Sequence, residues 1–240
     1  MNKVCIVTGA SRGMGYGIAK VLAEEEGATV YATARSKQAL DDLSASTKDS
    51  LGVIHPCVLD QADDGAVERF VLNVKAKEKQ IDLLVNSAYG GLTAMAPHFG
   101  KPFWERPVSV FDASMNIGLR SAFVMSKFVA PHMVENKSGL MVQVSSFGGH
   151  GYLFDVGYGV GKAGLDRLSA DMAAELTTHG VSSVTLYPGG VGTEPANFPG
   201  GETPTFAGRA VAALLMRTSS EDLSLINGKV TFTMELALKN

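Results

Sequence analysis

The sequence predicts an α/β fold, a doubly wound parallel sheet of about seven strands with helices on both faces. Three observations carry this. Short apolar runs alternate with amphipathic segments along the whole chain, the rhythm of successive βαβ units. Most of those runs are continuously apolar rather than alternating, as in strands covered on both faces. Between the first run and the first helix lies a glycine cluster, where a parallel sheet makes its first turn.

Residues 3–8 (KVCIVT) form the first strand. Residues 9–17 hold four glycines and lead into a helix on which Ile18, Val21 and Leu22 recur at helical spacing, up to Gly27. Residues 27–33 give the second strand, and Ser36 is placed to cap a helix reaching to about Thr47. The third strand lies near residues 51–59. Asp63 then caps a helix carrying Val67, Phe70, Val71 and Val74. Lys75, Lys77 and Lys79 follow where cations suit the helix dipole, and read as a solvated face. Residues 81–86 (IDLLVN) are the fourth strand, and residues 89–107 form a loop long enough to expect function from it.

A long helix is expected through Phe111, Met115, Leu119, Phe123 and Met125 to near Asn136. Residues 139–145 give the fifth strand and residues 147–157 a second loop. Tyr158 opens a helix whose Leu165, Leu168, Met172 and Leu176 form one stripe, with Gly180 as terminator. Residues 181–187 are the sixth strand. A Pro/Gly-rich segment to Pro204, a short helix over 207–216 and a last strand over 229–234 complete the chain. No repeat or linker divides it, so residues 1–240 read as one domain.

Composition narrows the function classes. With 45% hydrophobic and 19% charged residues the chain can bury a sizeable core. A net charge of −3 and scattered basic residues exclude the footprint of a nucleic-acid binder. Cys5 and Cys57 sit inside apolar strand runs and read as small core residues in a reducing compartment. No apolar run nears the roughly 18 residues of a membrane span and no signal-peptide pattern precedes the first strand, so the expectation is a soluble, cytoplasmic protein. The five histidines show no metal or triad pattern, and no metal is expected. No Gly-x-Ser-x-Gly elbow surrounds Ser146, which removes the hydrolase reading of that serine as nucleophile.

Chemistry concentrates in a few stretches. Tyr158 and Lys162 are four apart on one helix face, so phenol and ammonium share a space. A cation there favours phenolate and predicts a tyrosine pKa below the usual value of about 10, suited to proton exchange near neutrality. Thr8-Gly9-Ala10-Ser11-Arg12-Gly13-Met14-Gly15 joins strand to helix, where the backbone can approach a pyrophosphate at a helix N-terminus. An acidic residue ending the second strand would repel a ribose 2′-phosphate; here Ala34 and Arg35 stand instead, with Arg12 as a second cation, which favours NADP(H).

The spacing of Thr8, Gly9, Gly13 and Gly15, with the Tyr158–Lys162 pair, resembles the short-chain dehydrogenase/reductase family, and the likeness runs along nearly the whole chain. It implies a Rossmann-like domain and places Asp60 against the adenine. It also aligns Asn86-Ser87-Ala88-Tyr89 with an Asn-Asn-Ala-Gly turn whose second and fourth positions differ here. It makes Ser146, twelve residues before Tyr158, the catalytic serine of the Ser145-Ser146 pair, and Asn116 the support of a proton relay toward Lys162. Pro188, Gly189, Val191 and Thr193 resemble the segment that embraces the nicotinamide. Phe103-Trp104-Glu105, Asn116 to Arg120 and Val156 to Lys162 are similar to an animal subgroup, the dehydrogenase/reductase family member 1 group, associated with NADPH-dependent reduction of steroid and xenobiotic carbonyls. Relative to that group the segment after Thr193 is short.

The implied reaction is hydride transfer to a small-molecule carbonyl, with Tyr158 giving the proton, Ser146 binding the oxygen and Lys162 holding the ribose. Tyr89, Phe103, Trp104, Tyr152, Phe154 and Phe198 are expected to wall an apolar substrate pocket. Residues 117–128 and 165–176 are more apolar than the core needs and resemble the helix pairs through which the family dimerises, which implies a homodimer or homotetramer. Two alternatives stay open: an NADP(H)-binding sensor or scaffold without turnover, and an acyl reductase of lipid synthesis on the same fold.

Overall fold

The computed structural model describes residues 3–190, 192–193, 196–197, 201–216 and 220–237. Seven strands form one parallel sheet: β1 (Val4–Thr8), β2 (Thr29–Ala34), β3 (Val53–Val58), β4 (Leu83–Asn86), β5 (Gly139–Val144), β6 (Val181–Tyr187) and, last in the chain, β9 (Val230–Phe232). Their order is β3-β2-β1-β4-β5-β6-β9. β7 (Gly192–Thr193) and β8 (Ala196–Asn197) form a separate antiparallel pair. The chain starts at β1, winds outward to β3, then returns to β4 on the other flank of β1. The strand order therefore reverses between β1 and β4, where a crevice opens at the carboxyl ends of the strands.

Period-two alternation sends each strand's side chains to two cores. From β1, Cys5 and Val7 join Leu22, Leu43, Val211 and Leu214 on one face, from α1 (Gly13–Glu24), α2 (Lys37–Ser46) and α8 (Pro204–Met216). Val4 and Ile6 join Val67, Val71, Met125 and Val129 on the other, from α3 (Asp64–Lys77) and α6 (Ser121–Asn136). The caps fall where the sequence put them: Ser36 Oγ accepts from Ala39 N–H at 3.3 Å and Asp63 Oδ1 from Ala66 N–H at 2.9 Å. Cys5 is buried, Cys57 is half-buried, and both are free thiols.

Three expectations give way. β3 does not read as a buried strand: Ile54 is 3% exposed, but Val53 and Val58 are 44% and 59% exposed. It is the sheet edge, which also tolerates Pro56 and its missing amide donor. The loop over 89–107 contains a short helix, α4 (Gly91–Met95), and two 3₁₀ turns. The long helix to Asn136 is broken into α5 (Val108–Ser114), a π-type turn over Met115–Arg120, and α6. Within the turn Ile117 leaves helical geometry (φ −107, ψ 58), and its carbonyl accepts from Gly90 N–H at 2.7 Å. The expected stripe does not run through the break as one buried face: Phe111 and Phe123 are 41% and 50% exposed while Met125 is buried, because a π-type turn changes the phase of the helix that follows.

α7 (Val156–Leu176) follows β5, and a 3₁₀ turn and Gly180 at φ +72 lead from it into β6. Beyond the expected elements lie α9 (Ser220–Ile226) and α10 (Thr233–Ala237). Among the described residues no helix is long and apolar enough to cross a membrane.

Candidate active site

The first turn lies at the β1/β4 crossover. Gly9 has φ +69, and a Cβ there would stand 2.7 Å from Ala88 Cα, so only glycine lets the two strand ends approach. Gly15 packs on the Gly9 carbonyl, where a Cβ would come within 2.4 Å of the oxygen. No side chain caps α1: Arg12 holds the N-cap position in extended geometry and its guanidinium donates to Thr93 Oγ1 at 2.9 Å. The first amides of α1, beyond Ser11 and including those of Gly13 and Met14, fit an anionic diphosphate. Arg35 is exposed at the end of β2, and Asp60 is exposed beyond β3, its carboxylate accepting from Ala62 N–H at 3.0 Å.

Two of the residues expected at the cofactor also hold the frame. Thr8 is 1% exposed and its hydroxyl accepts from the amides of Ser87 and Ala88, tying β1 to the end of β4. Asn86 is 5% exposed, and its amide donates to Ser126 Oγ and Gln143 Oε1, both at 3.0 Å, beneath α6. On the far side of the crevice Pro188 and Gly189 follow β6. Gly190 O accepts from Glu202 N–H at 2.7 Å, and the Glu202 carboxylate accepts from the Thr233 hydroxyl. Val191 and Phe198 lie outside the described residues, and of Thr193 only the backbone, in β7, is described.

The acid/base cluster sits at the start of α7. Asp155 caps that helix, its Oδ1 accepting from Tyr158 N–H at 2.6 Å, and its Oδ2 accepts from Arg106 Nη1 at 2.8 Å. The pair is buried, with side chains 7% and 4% exposed. Arg106 thereby fastens the segment after α4 to the helix that carries Tyr158. Asp155 was findable, since it stands three residues before Tyr158 at cap spacing; Arg106 carried no local signal.

Tyr158 is 7% exposed and donates from its hydroxyl to Ser146 Oγ at 2.8 Å. Ser146 Oγ also accepts from Gly148 N–H at 3.0 Å, whereas Ser145 Oγ turns to the Lys162 carbonyl. The Tyr158 ring stands edge-on between Tyr89 (5.6 Å, 88°) and Phe154 (5.0 Å, 89°). Phe154 takes a left-handed φ of 64, which a bulky residue rarely does outside functional sites. Trp104 and Tyr152 instead stand 72% and 80% exposed, Trp104 edge-on to Phe103. Asn116 lies in the π-type turn, exposed, and its carbonyl accepts from Ser121 N–H.

Lys162 is 6% exposed, and its ammonium donates to Val144 O at 2.9 Å. Burial lowers its pKa to about 8, with Asp166 opposing. For Tyr158 the expected direction is reversed. Burial raises the phenol above its ordinary value, and the bond with Ser146 only partly offsets this. The ammonium lies 5.7 Å from the Tyr158 ring centroid and donates to the Val144 carbonyl.

This depression of Lys162 makes a stability prediction. Between its folded value of about 8 and the unfolded value of about 10.4, only the unfolded chain binds the proton, so stability rises with pH there and is lost as pH falls through 8. Measured by urea denaturation at pH 7 and pH 10, the wild type is expected to gain about 2 kcal/mol on a Lys162→Met variant. Parallel curves at the two pH values would mean that Lys162 titrates as an exposed lysine.

Comparison with known proteins agrees with this geometry. A family model described as short chain dehydrogenase matches residues 3–198. The mouse and human proteins named Dehydrogenase/reductase SDR family member 1 are each 39% identical, over 260 and 257 residues, which covers 98% of this chain and 81% of theirs. A metagenomic short-chain oxidoreductase solved in complex with NADP aligns with a TM-score of 0.78 at 28% identity, covering 91% of this chain and 92% of that one. A 7α-hydroxysteroid dehydrogenase complexed with NADH and 7-oxo glycochenodeoxycholic acid shares the fold, with a TM-score of 0.82 at 23% identity over 96% of this chain and 92% of its own.

Proposed function

This chain belongs to the short-chain dehydrogenase family of oxidoreductases, and from that premise we propose that it is an NADPH-dependent reductase that converts a ketone or aldehyde, steroid or xenobiotic in kind, to the alcohol. The observation that carries the reading is the hydrogen bond from Tyr158 to Ser146, 2.8 Å long, at the mouth of the β1/β4 crevice. Ser146 Oγ accepts from both Gly148 N–H and Tyr158 O–H, which uses its two acceptor sites and leaves its own O–H to donate outward. A carbonyl oxygen meeting Ser146 and Tyr158 is polarised by the serine and protonated by the phenol. A neutral, burial-protected phenol suits the proton donor of a reduction. Bound in the crevice, the dinucleotide supplies the hydride. Lys162 holds positive charge behind the phenol as the proton leaves, and Asn116 stands at the turn from which a relay reaches it.

For the cofactor, the uncapped start of α1 takes the diphosphate, and Arg12 and Arg35 take the 2′-phosphate. Pro188 and Gly189 face the nicotinamide, and Asp60 and Ala88 the adenosine side. Tyr89 and Phe154 form the inner wall of the substrate pocket, Trp104 and Tyr152 its rim. The working protein is a homodimer or homotetramer in the cytoplasm.

An NADPH-oxidation screen over quinones, steroid ketones, α-dicarbonyls and acyl thioesters tests the reading, with turnover expected for the free carbonyls. Tight NADPH binding with turnover of none would make the chain a cofactor-binding scaffold, and turnover of thioesters alone would make it an acyl reductase. Each of Arg12→Ala and Arg35→Ala is expected to weaken NADPH binding at least tenfold while leaving NADH affinity in place, the size of one charge-assisted phosphate contact. Equal wild-type affinity for NADH and NADPH would remove both arginines from the cofactor site.

A further inference from the structure

Lys162 presents a problem that its hydrogen bonds do not solve. An ammonium has three N–H donors, and among the described residues its one acceptor is Val144 O. Its nearest aromatic face belongs to Tyr89, whose ring centroid lies 4.9 Å from Nζ, closer than the 5.7 Å of Tyr158. Tyr89 is held there from three sides. Its hydroxyl pairs with Ser114 Oγ at 2.9 Å. Gly91 and Gly118 leave room for the ring, since a Cβ on the first would stand 2.2 Å from the Tyr89 hydroxyl and on the second 3.0 Å from ring carbon Cδ2. Position 89 is the one where the resembling turn carries glycine, so the ring, its two glycine walls and its serine partner form a set that a glycine would leave without purpose.

We propose that Tyr89 is a positioning residue of this centre: its ring face carries the Lys162 ammonium next to Tyr158 and supplies the negative potential that one carbonyl does not. A cation over an aromatic face gains most where water is excluded, as at this 6% exposed lysine. The ring also stands edge-on to Tyr158, so one side chain fixes both members of the acid/base pair. The other charged or titratable groups facing the cluster are Asp166, one turn along α7 from Lys162, and Tyr187 of β6, which is hydrogen-bonded to Asp166, with His150 and Asp155 farther off. Asp166 shares the support of the cation, but its carboxylate is already engaged by Tyr187, and burial raises its pKa. The consequence for turnover rests on the reductase reading; the electrostatic effect does not.

The test reads Lys162 directly, by NMR titration of the ¹³Cε resonance that Lys162→Met removes. Tyr89→Phe keeps the ring face and is expected to leave the titration nearly in place. Pentafluorophenylalanine at position 89 keeps the shape and inverts the ring's charge distribution, and Tyr89→Met fills the space without a π face. Both are expected to lower the Lys162 pKa by about one unit. In turnover the limb that falls as Lys162 loses its proton moves down by the same interval, whatever change in KM Tyr89 contributes as a pocket wall. The same Lys162 titration in all three variants would overturn the proposal, and so would a rise in KM alone with an unmoved pH limb, which marks a substrate contact. A shifted titration in a protein that turns over no carbonyl keeps the proposal and removes the reductase reading.

Discussion

Tyr158→Phe is expected to lower kcat for carbonyl reduction about a thousandfold while NADPH still binds. The substitution removes one oxygen and nothing else of the ring. The edge-on contacts with Tyr89 and Phe154 persist, as does the Asp155 cap on the residue's amide, because none of them involves the hydroxyl. What disappears is the proton donor and the hydrogen bond to Ser146. Loss of general acid catalysis is typically worth 10²–10⁴ in rate. The check is kcat with the most reactive carbonyl, beside NADPH affinity from fluorescence titration. Unchanged turnover would show that the proton comes from another group.

Arg106→Met is expected to cost about 3–5 kcal/mol of stability, a fall of roughly 6–20 °C in Tm for a domain of this size. It leaves the Asp155 carboxylate buried with no counter-charge, at the position that caps α7. Combining Arg106→Met with Asp155→Asn should recover most of the loss, because asparagine still caps the helix and brings no charge. Arg167→Met is the control: its pairing with Asp171 has side chains 79% and 56% exposed, so its loss should leave Tm nearly unchanged. Similar costs for the two arginines would mean that the Arg106 pair is hydrated.

Much of this molecule was legible from local pattern. Continuous apolar runs located the strands of the sheet's interior, and Ser36 and Asp63 marked helix starts because capping is a contact between neighbours in sequence. What the pattern missed depends on distance or on surroundings. Nothing near Arg106 announces Asp155, forty-nine residues away. The spacing from Phe111 to Met125 gave no sign of the turn at Ile117, which leaves Phe111 and Phe123 exposed while Met125 is buried. Spacing placed Lys162 beside Tyr158 but could not weigh burial, which sets the direction of the phenol's shift. Tyr89 was visible as an odd residue in its turn; that its ring lies under an ammonium was visible only once the strands were assembled.

The hydrogen bond between Gly190 and Glu202 bears on how this protein can accept insertions. It joins the two ends of the segment between them, while the Thr233 hydroxyl anchors Glu202 to the start of α10. A segment closed at its base can lengthen at little thermodynamic cost, about 0.6 kcal/mol for each doubling. New residues inserted there would lie outside the sheet and leave the hydrogen bonds of the Tyr158 cluster unchanged. The length of this segment can therefore vary separately from the acid/base cluster.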